Sequence, residues 1–235
     1  GDPDDFQGTI HYSKGSLFLQ HLETAFGRST FDRFLFQYFK DFAFKTITTE
    51  RFLDYLDKNL LQSASSRVHR ADVEQWLYQP GLPGGVTVPT SSTLAAAATF
   101  AATWASGEVE LAGIPFDEWS PHAIVHFINS LPAGLPDERL QQLDEGLGLS
   151  TTRNAEIGRT WFIQVATRRH RPAYDAMAHY LNRYGRGRLV RPVYVALADN
   201  GADLELAREL YARARASYHP YVKNSVARAL GVKTD

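Results

Sequence analysis

Apolar residues recur every three or four positions along most of this chain, a spacing that places them on one face of an α-helix. The pattern is clearest over 10–26, and it continues over about 29–42 and about 48–60. No stretch of convincing length alternates with period two, and the best strand candidate is the brief run 86–88. The sequence therefore predicts an all-α protein.

Several residues mark where these helices begin and end. Gly27 follows the first apolar stretch, where a left-handed carboxyl-terminal cap is expected. Ser29 with Asp32 resembles a capping box at the start of the next helix. Further along, Ser120-Pro121 combines a cap with a first-turn proline, and Pro136 is interpreted as another first-turn proline.

One segment interrupts the helical pattern and indicates a boundary. The run 76–85 is dense in proline and glycine and has no periodic apolar face. We therefore predict a first domain over 1–78, a linker over 79–90 and a second domain over 91–235. The short helices expected in the second domain suggest a stacked α-solenoid, although no clean sequence repeat accompanies them.

Composition narrows the classes of partner. The formal net charge is −1, whereas nucleic acids and anionic membranes select basic surfaces. No stretch approaches the ~20 apolar residues of a membrane-spanning helix, so we expect a soluble chain. There are no cysteines, which excludes disulfides and thiolate metal ligands within these residues. Gly1 reads as a cut rather than a natural start, so the sequence predicts no cellular compartment.

A search for catalytic motifs is negative. A zinc peptidase helix of the common kind needs His-Glu-x-x-His, and no histidine here is followed by glutamate. His122 and His126 have ligand spacing, but no third ligand lies nearby in the sequence, so we interpret the pair as an ordinary helix face. Neither a Gly-x-Ser-x-Gly elbow nor a glycine-rich phosphate loop is present.

Two polar segments remain as candidate sites. In 2–15, Tyr12 stands at a helix start, where its hydroxyl can donate into a cleft; a capping loop is the simpler interpretation. In 184–192, Arg186 and Arg188 are two apart in an expected extended loop and can bind a carboxylate; a solvated basic loop is the simpler interpretation.

Taken in order, seven segments resemble the carboxyl-terminal part of the zinc aminopeptidases typified by leukotriene A-4 hydrolase and aminopeptidase B. The similarity spans essentially the whole chain with consistent spacing. The segments are Asp2-Pro3-Asp4, Tyr12-Ser13-Lys14-Gly15, Phe44-Lys45-Thr46-Ile47-Thr48-Thr49, Trp76-Leu77-Tyr78-Gln79-Pro80-Gly81-Leu82-Pro83, Asn154-Ala155-Glu156-Ile157, Arg186/Arg188/Arg191-Pro192 and Tyr218-His219-Pro220.

The resemblance implies a role for five residues. Tyr12 falls on the family's catalytic tyrosine, whose phenol stabilises the oxyanion of the attacked peptide. Arg186 matches the arginine that holds the peptide's far carboxylate, and Arg188 falls where leukotriene A-4 hydrolase has lysine. Asp4 matches an aspartate that lines the substrate cleft. Gln7 replaces a tyrosine of the animal hydrolase, which favours peptide hydrolysis over epoxide hydrolysis.

The resemblance also implies an architecture and a cofactor. It predicts the end of a thermolysin-like catalytic domain's helical lobe, followed by an α-α superhelical domain of the armadillo/HEAT kind. The zinc ligands would lie upstream of Gly1, so zinc is expected in the longer protein and not in this chain. The expected partners are a peptide substrate and the upstream part of the same protein.

Two other interpretations stay open. The absence of any zinc ligand set in these 235 residues also suits a free-standing helical binding or scaffold module without catalysis. Nucleic-acid binding through Arg186-Gly187-Arg188 has little support, because the overall charge is near neutral.

Overall fold

The computed structural model describes residues 10–62, 68–84, 86 and 89–233. Within these residues all regular structure is helical, which confirms the predicted all-α class. Two of the candidate site residues, Asp4 and Gln7, lie outside the described residues. Of the strand candidate 86–88, residues 87 and 88 also lie outside the described residues. Val86 is described and has no regular secondary structure.

The chain divides into two compact units, Gly1–Thr90 and Ser91–Asp235. The finer division predicted above, with a linker over 79–90 between domains over 1–78 and 91–235, stays a prediction. Each unit has a hydrophobic core of its own.

The first unit contains four described α-helices. They are α1 (Ile10–Phe26), α2 (Arg28–Asp41), α3 (Thr49–Leu56), which continues as a π-helical turn over Asp57–Leu61, and α4 (Arg70–Tyr78). Their apolar faces meet in one core, in which Leu22 and Leu56 are fully buried and Phe31 packs beside Phe34 at 6.4 Å between ring centroids.

The boundary between α1 and α2 differs from the prediction. Gly27 has φ 77° and ψ 148°, so it does not form the expected left-handed cap of α1 but is the amino-terminal cap residue of α2. Ser29 lies inside α2 and is not its cap residue, so the expected capping box is wrong. Asp32 instead accepts a hydrogen bond from Arg28 Nε at 2.7 Å. The predicted start of α3 is confirmed, since Thr48 caps it by accepting from the Arg51 amide.

Helix α4 corrects the expected connector. We predicted that the helical pattern breaks at Trp76, but Trp76 and Tyr78 belong to α4 and only the residues after Tyr78 form a loop. Trp76 is buried and packs against Phe18 of α1, with ring centroids 5.7 Å apart. This tertiary contact, which sequence spacing does not reveal, outweighs the proline and glycine that follow.

The second unit contains eight described α-helices. They are α5 (Ser92–Ser106), α6 (Pro121–Asn129), α7 (Asp137–Leu147), α8 (Ala155–Arg168), α9 (Tyr174–Arg183), α10 (Gly187–Asp199), α11 (Leu204–Ala214) and α12 (Pro220–Leu230). Helices α5, α6, α8, α10 and α12 pack side by side in that order, while α9 and α11 pack on each other and against this row. Such a two-layer succession of neighbours is the arrangement of an α-α superhelix.

Prolines and hydroxyls start these helices largely as expected. Ser120 caps α6 by accepting from the Ala123 amide, and Pro121 follows in the first turn. Pro136 was expected in a first turn, but it is the cap residue that precedes α7. No described helix is long and apolar enough to cross a membrane.

Candidate functional site

Tyr12 lies in the first turn of α1, on a face of that helix that points to solvent. Its side chain is 76% exposed, and Ser16 and Leu19, one and two turns further on, are exposed on the same side. The phenol is therefore accessible to a reactant from outside the described residues.

The opposite face of α1 is held in place by α4 and the loop after it. Lys14 Nζ donates to the carbonyl oxygen of Gln79 at 2.5 Å. One and nearly two turns later, the rings of Phe18 and His21 each lie 5.7 Å from the ring of Trp76. These contacts set the rotation of α1 about its axis, and so fix the side on which Tyr12 stands.

Arg186 lies in the connection between α9 and α10. It is the cap residue of α10, with φ −83° and ψ 124°, and its side chain is exposed with no hydrogen bond or ion pair to any described residue. The preceding Gly185 packs closely, since a Cβ atom there would lie 3.2 Å from the carbonyl oxygen of Ser217. A side chain at that position would push the connection away from its support.

Arg188 differs from Arg186 in structure and in partners. Because α10 begins at Gly187, Arg188 lies in the first helical turn, and the expected extended loop through both arginines is wrong. Its guanidinium donates to the carboxylate of Glu156 at the start of α8. That carboxylate also lies 3.5 Å from Arg159 Nε. The structure thus leaves Arg186 open and pairs Arg188.

A buried tyrosine pair supports the connection between α9 and α10. The hydroxyl of Tyr218 donates to the carbonyl oxygen of Leu181 at 2.6 Å, and the hydroxyl of Tyr194 lies 3.1 Å from that of Tyr218. Burial raises the pKa of Tyr218 to about 12, so both phenols stay neutral donors. Sequence reasoning did not assign this pair, because only the packing of the connection before α12 against α9 and α10 brings it together.

Asp203 forms the most polar buried cluster of the second unit. Its side chain is 2% exposed and accepts from Arg171 Nη2 at 2.5 Å, Tyr174 Oη at 2.7 Å and Asn200 Nδ2 at 2.9 Å. Burial alone would raise the pKa of Asp203, but the hydrogen bonds from Tyr174, Asn200 and Arg171 outweigh it and hold the pKa below its usual value. The cluster ties the segment before α9 to the start of α11, and sequence reasoning did not find it.

The described residues offer no group of three or more histidine, aspartate or glutamate side chains that could hold a metal ion. His122 is exposed and His126 half-buried on α6. The part of the chain that the structure describes therefore does not fit a zinc ion.

Two family models match the chain, one in each unit. Residues 1–76 match the peptidase family M1 domain, and residues 119–230 match the family described as leukotriene A4 hydrolase, C-terminal. The chain belongs to the leukotriene A-4 hydrolase group of the M1 peptidases. This confirms the resemblance on which the site residues were chosen.

Individual relatives agree with this assignment. Leucine aminopeptidase 2 of Pyricularia oryzae is 28% identical over 241 residues, which cover 100% of this chain and 39% of that protein. Leucine aminopeptidase 2 of Yarrowia lipolytica is 30% identical, with 97% of this chain and 37% of that protein covered. The chain thus spans well under half the length of these M1 relatives.

Solved structures of the group share the fold. Yeast leukotriene A-4 hydrolase in complex with bestatin superposes with a TM-score of 0.79 at 27% identity, covering 99% of this chain and 41% of that one. The native enzyme from Saccharomyces cerevisiae gives a TM-score of 0.73 at 28% identity, covering 98% of this chain and 40% of that one.

Proposed function

We propose that this chain is the carboxyl-terminal part of a zinc aminopeptidase that removes amino-terminal residues from short peptides. The observation that supports this most is the match of residues 1–76 to the M1 peptidases, together with the exposure of Tyr12 within that region. Zinc, when bound by the upstream part of the longer protein, would supply the Lewis acid. The described residues of this chain include no group of three or more side chains that could hold it by themselves.

Tyr12 is the proposed catalytic residue. As the carbonyl of the peptide is attacked, negative charge develops on its oxygen, and the phenol donates a hydrogen bond to that atom. A donor fixed in advance stabilises the transition state more than the ground state, because the substrate carbonyl carries less charge. The contacts of α1 with α4 and its following loop orient the helix that carries this phenol.

Arg186 is the proposed anchor for the far carboxylate of the peptide. Its guanidinium is exposed and unpaired among the described residues, so a substrate carboxylate displaces only water. Arg188, which is paired with Glu156, is proposed to hold the same end of the substrate more weakly, because any new contact competes with that ion pair. Asp4 and Gln7 complete the proposed cleft lining on the basis of the family resemblance alone.

The experiment that tests this function uses the longer protein that contains this chain. We expect it to bind zinc and to cleave aminoacyl amides and tripeptides, with both activities abolished by a chelator. Arg186→Ala should lower kcat/KM for tripeptides by about 10²-fold or more, since a charge-assisted pair is lost, and should leave amides nearly unaffected. Arg153→Ala, which removes another exposed arginine without a described partner, is the matched control.

Three results would contradict the proposal. The first is a longer protein that carries zinc and cleaves neither substrate. The second is an equal loss on tripeptides and amides in Arg186→Ala. The third is an Arg153→Ala variant that loses tripeptide activity as strongly as Arg186→Ala does.

A further inference from the structure

The exposed apolar side chains of this protein are distributed very unevenly. Eight large hydrophobic side chains are exposed among the described residues, and seven of them lie in the first unit although it is the smaller of the two. The seven are Tyr12, Leu19, Phe36, Phe39, Phe44, Tyr78 and Leu82, and the eighth is Tyr221. Because interaction sites are rich in exposed apolar surface, this uneven distribution points to the first unit as the place of such a site.

Helix α1 shows the feature in its most ordered form. One face of α1 is buried, with Phe18 and Leu22 in the core, whereas the other exposes two large hydrophobic side chains, Tyr12 and Leu19, among uncharged polar ones. Tyr12, Ser16 and Leu19 follow one another at four and three residues, which aligns them along the helix. We call these three residues the α1 stripe.

The α1 stripe also lacks the charges of a solvent-facing helix. The exposed described side chains of α1 are Tyr12, Ser13, Ser16, Leu19, Gln20 and Thr24, and none is charged. By contrast, the exposed positions of α11 include Glu205, Glu209 and Arg213. A helix face that is fully exposed to solvent normally carries charged side chains, so a face that has none and exposes Tyr12 and Leu19 is suited to be covered by another polypeptide.

The lengths of the relatives indicate what covers the stripe. The chain corresponds to 35–41% of the length of the relatives and solved structures that it matches. In those proteins the additional length precedes the matched part, because the match ends in the carboxyl-terminal family. The match to the M1 peptidase domain lies in the first unit, at residues 1–76. The first unit is therefore the one that the additional upstream polypeptide adjoins.

We propose that the α1 stripe is the surface on which the upstream polypeptide of the longer protein packs. In this proposal Leu19 and Ser16 contact the upstream polypeptide. Tyr12 lies at the amino-terminal end of the same stripe, at the edge of that contact and next to the reactants. The proposal rests on the proposed function in one respect, namely that a longer protein of the M1 kind contains this chain. It assigns Leu19 and Ser16 a positioning role, since packing there fixes the distance between Tyr12 and groups on the upstream part.

The absence of cysteine from this chain gives a direct test. Three single variants, L19C, S16C and Y221C, each place one thiol in the 235-residue chain and in the longer protein. Leu19 and Tyr221 are 41% and 39% exposed, so they are matched in accessibility. The rate of alkylation at each thiol is measured by peptide mass spectrometry, which separates it from any cysteine upstream.

In the 235-residue chain, all three thiols should react at similar rates. In the longer protein, the thiols of L19C and S16C should react at least roughly tenfold more slowly, which corresponds to about 1.4 kcal/mol of local opening free energy. The thiol of Y221C should react at the same rate in both. Because Ser16→Cys is nearly isosteric, it preserves the result if Leu19→Cys weakens the packing.

Two results would overturn the proposal. One is equal reactivity of the L19C and S16C thiols in the two proteins. The other is protection that already exists in the 235-residue chain and grows with its concentration, which would assign the stripe to a second copy. Zinc content and aminopeptidase activity are measured separately, so an inactive longer protein with protected thiols refutes the proposed function alone.

Discussion

Replacing Asp203 by asparagine tests whether the buried polar cluster holds the second unit together. Asparagine keeps the shape and one acceptor oxygen, but it removes the charge and turns an NH2 group toward donors on Arg171, Tyr174 and Asn200. Hydrogen bonds to charged groups contribute about 1.5–3 kcal/mol each. The bond from Arg171 contributes less to the free energy of unfolding than this range, because its side chain is 51% exposed and solvent screens the pair.

We therefore expect Asp203→Asn to lower the free energy of unfolding by about 3 kcal/mol, since one charge-assisted bond is lost and one donor faces another donor. For a protein of this size that corresponds to a fall in Tm of roughly 6–12 °C. Thermal unfolding followed by circular dichroism at pH 7 measures it. Asp199→Asn, at an exposed carboxylate without a described partner, is the matched control and should change Tm little.

The pH dependence of the stability difference between wild type and Asp203→Asn gives a second test. Because the folded-state pKa of Asp203 is lowered, its stabilisation is complete above the unfolded pKa of about 3.9 and is lost as pH falls through the folded value. The gap between wild type and Asp203→Asn should thus be constant above about pH 5 and should narrow below about pH 4. A change in Tm under 2 °C, or a gap that widens in acid, would show that the Asp203 carboxylate does not stabilise the second unit in this way.

Four further substitutions, one of them with a matched control, are expected to act through packing and pairing. Gly185→Ala should lower the free energy of unfolding in urea by about 1 kcal/mol, because the added Cβ meets a carbonyl oxygen. Gly134→Ala, where the added Cβ meets nothing within 4 Å, should lower it less. The reverse order would contradict this prediction. Trp76→Ala should destabilise the first unit by about 3–5 kcal/mol, seen as an earlier loss of helical ellipticity, and a loss under 1 kcal/mol would show that the Trp76 packing is unimportant. Arg188→Ala and Glu156→Gln should each lower the free energy of unfolding by under about 1 kcal/mol, because the ion pair that they break is half-exposed. The double variant should lose less than the sum of the two single losses, since both remove the same pair. Additive losses would mean that the pair is not formed in solution.

The sequence predicted those parts of the fold that depend on local spacing. The bounds of α1 agree with the apolar pattern over 10–26, and α6 begins at the cap and first-turn proline expected at Ser120-Pro121. Helix α4 was missed because its stability comes from Trp76 packing on α1, a contact across the unit rather than along the chain. Neighbouring residues carry no signal for such contacts.

The site was predictable only in part, for a related reason. The identity of Tyr12 and Arg186 as candidates came from the family resemblance, since a lone tyrosine at a helix start has no distinctive spacing. The pairing of Arg188 with Glu156 joins residues 32 positions apart, and the Asp203 cluster joins residues up to 32 apart. Both depend on how neighbouring helices stack, which a single sequence without a repeat does not reveal.

The proposed function requires that this chain supply a phenol to a reaction whose metal is bound elsewhere in a longer protein. Its most direct test is the steady-state kinetics of Tyr12→Phe in that protein, with zinc content measured on the same sample and Tyr221→Phe as the control. We predict a kcat lower by about 10²–10³-fold, with KM and zinc content nearly unchanged, because only the transition-state hydrogen bond is lost. A kcat close to that of the wild type, at full zinc content, would contradict the account.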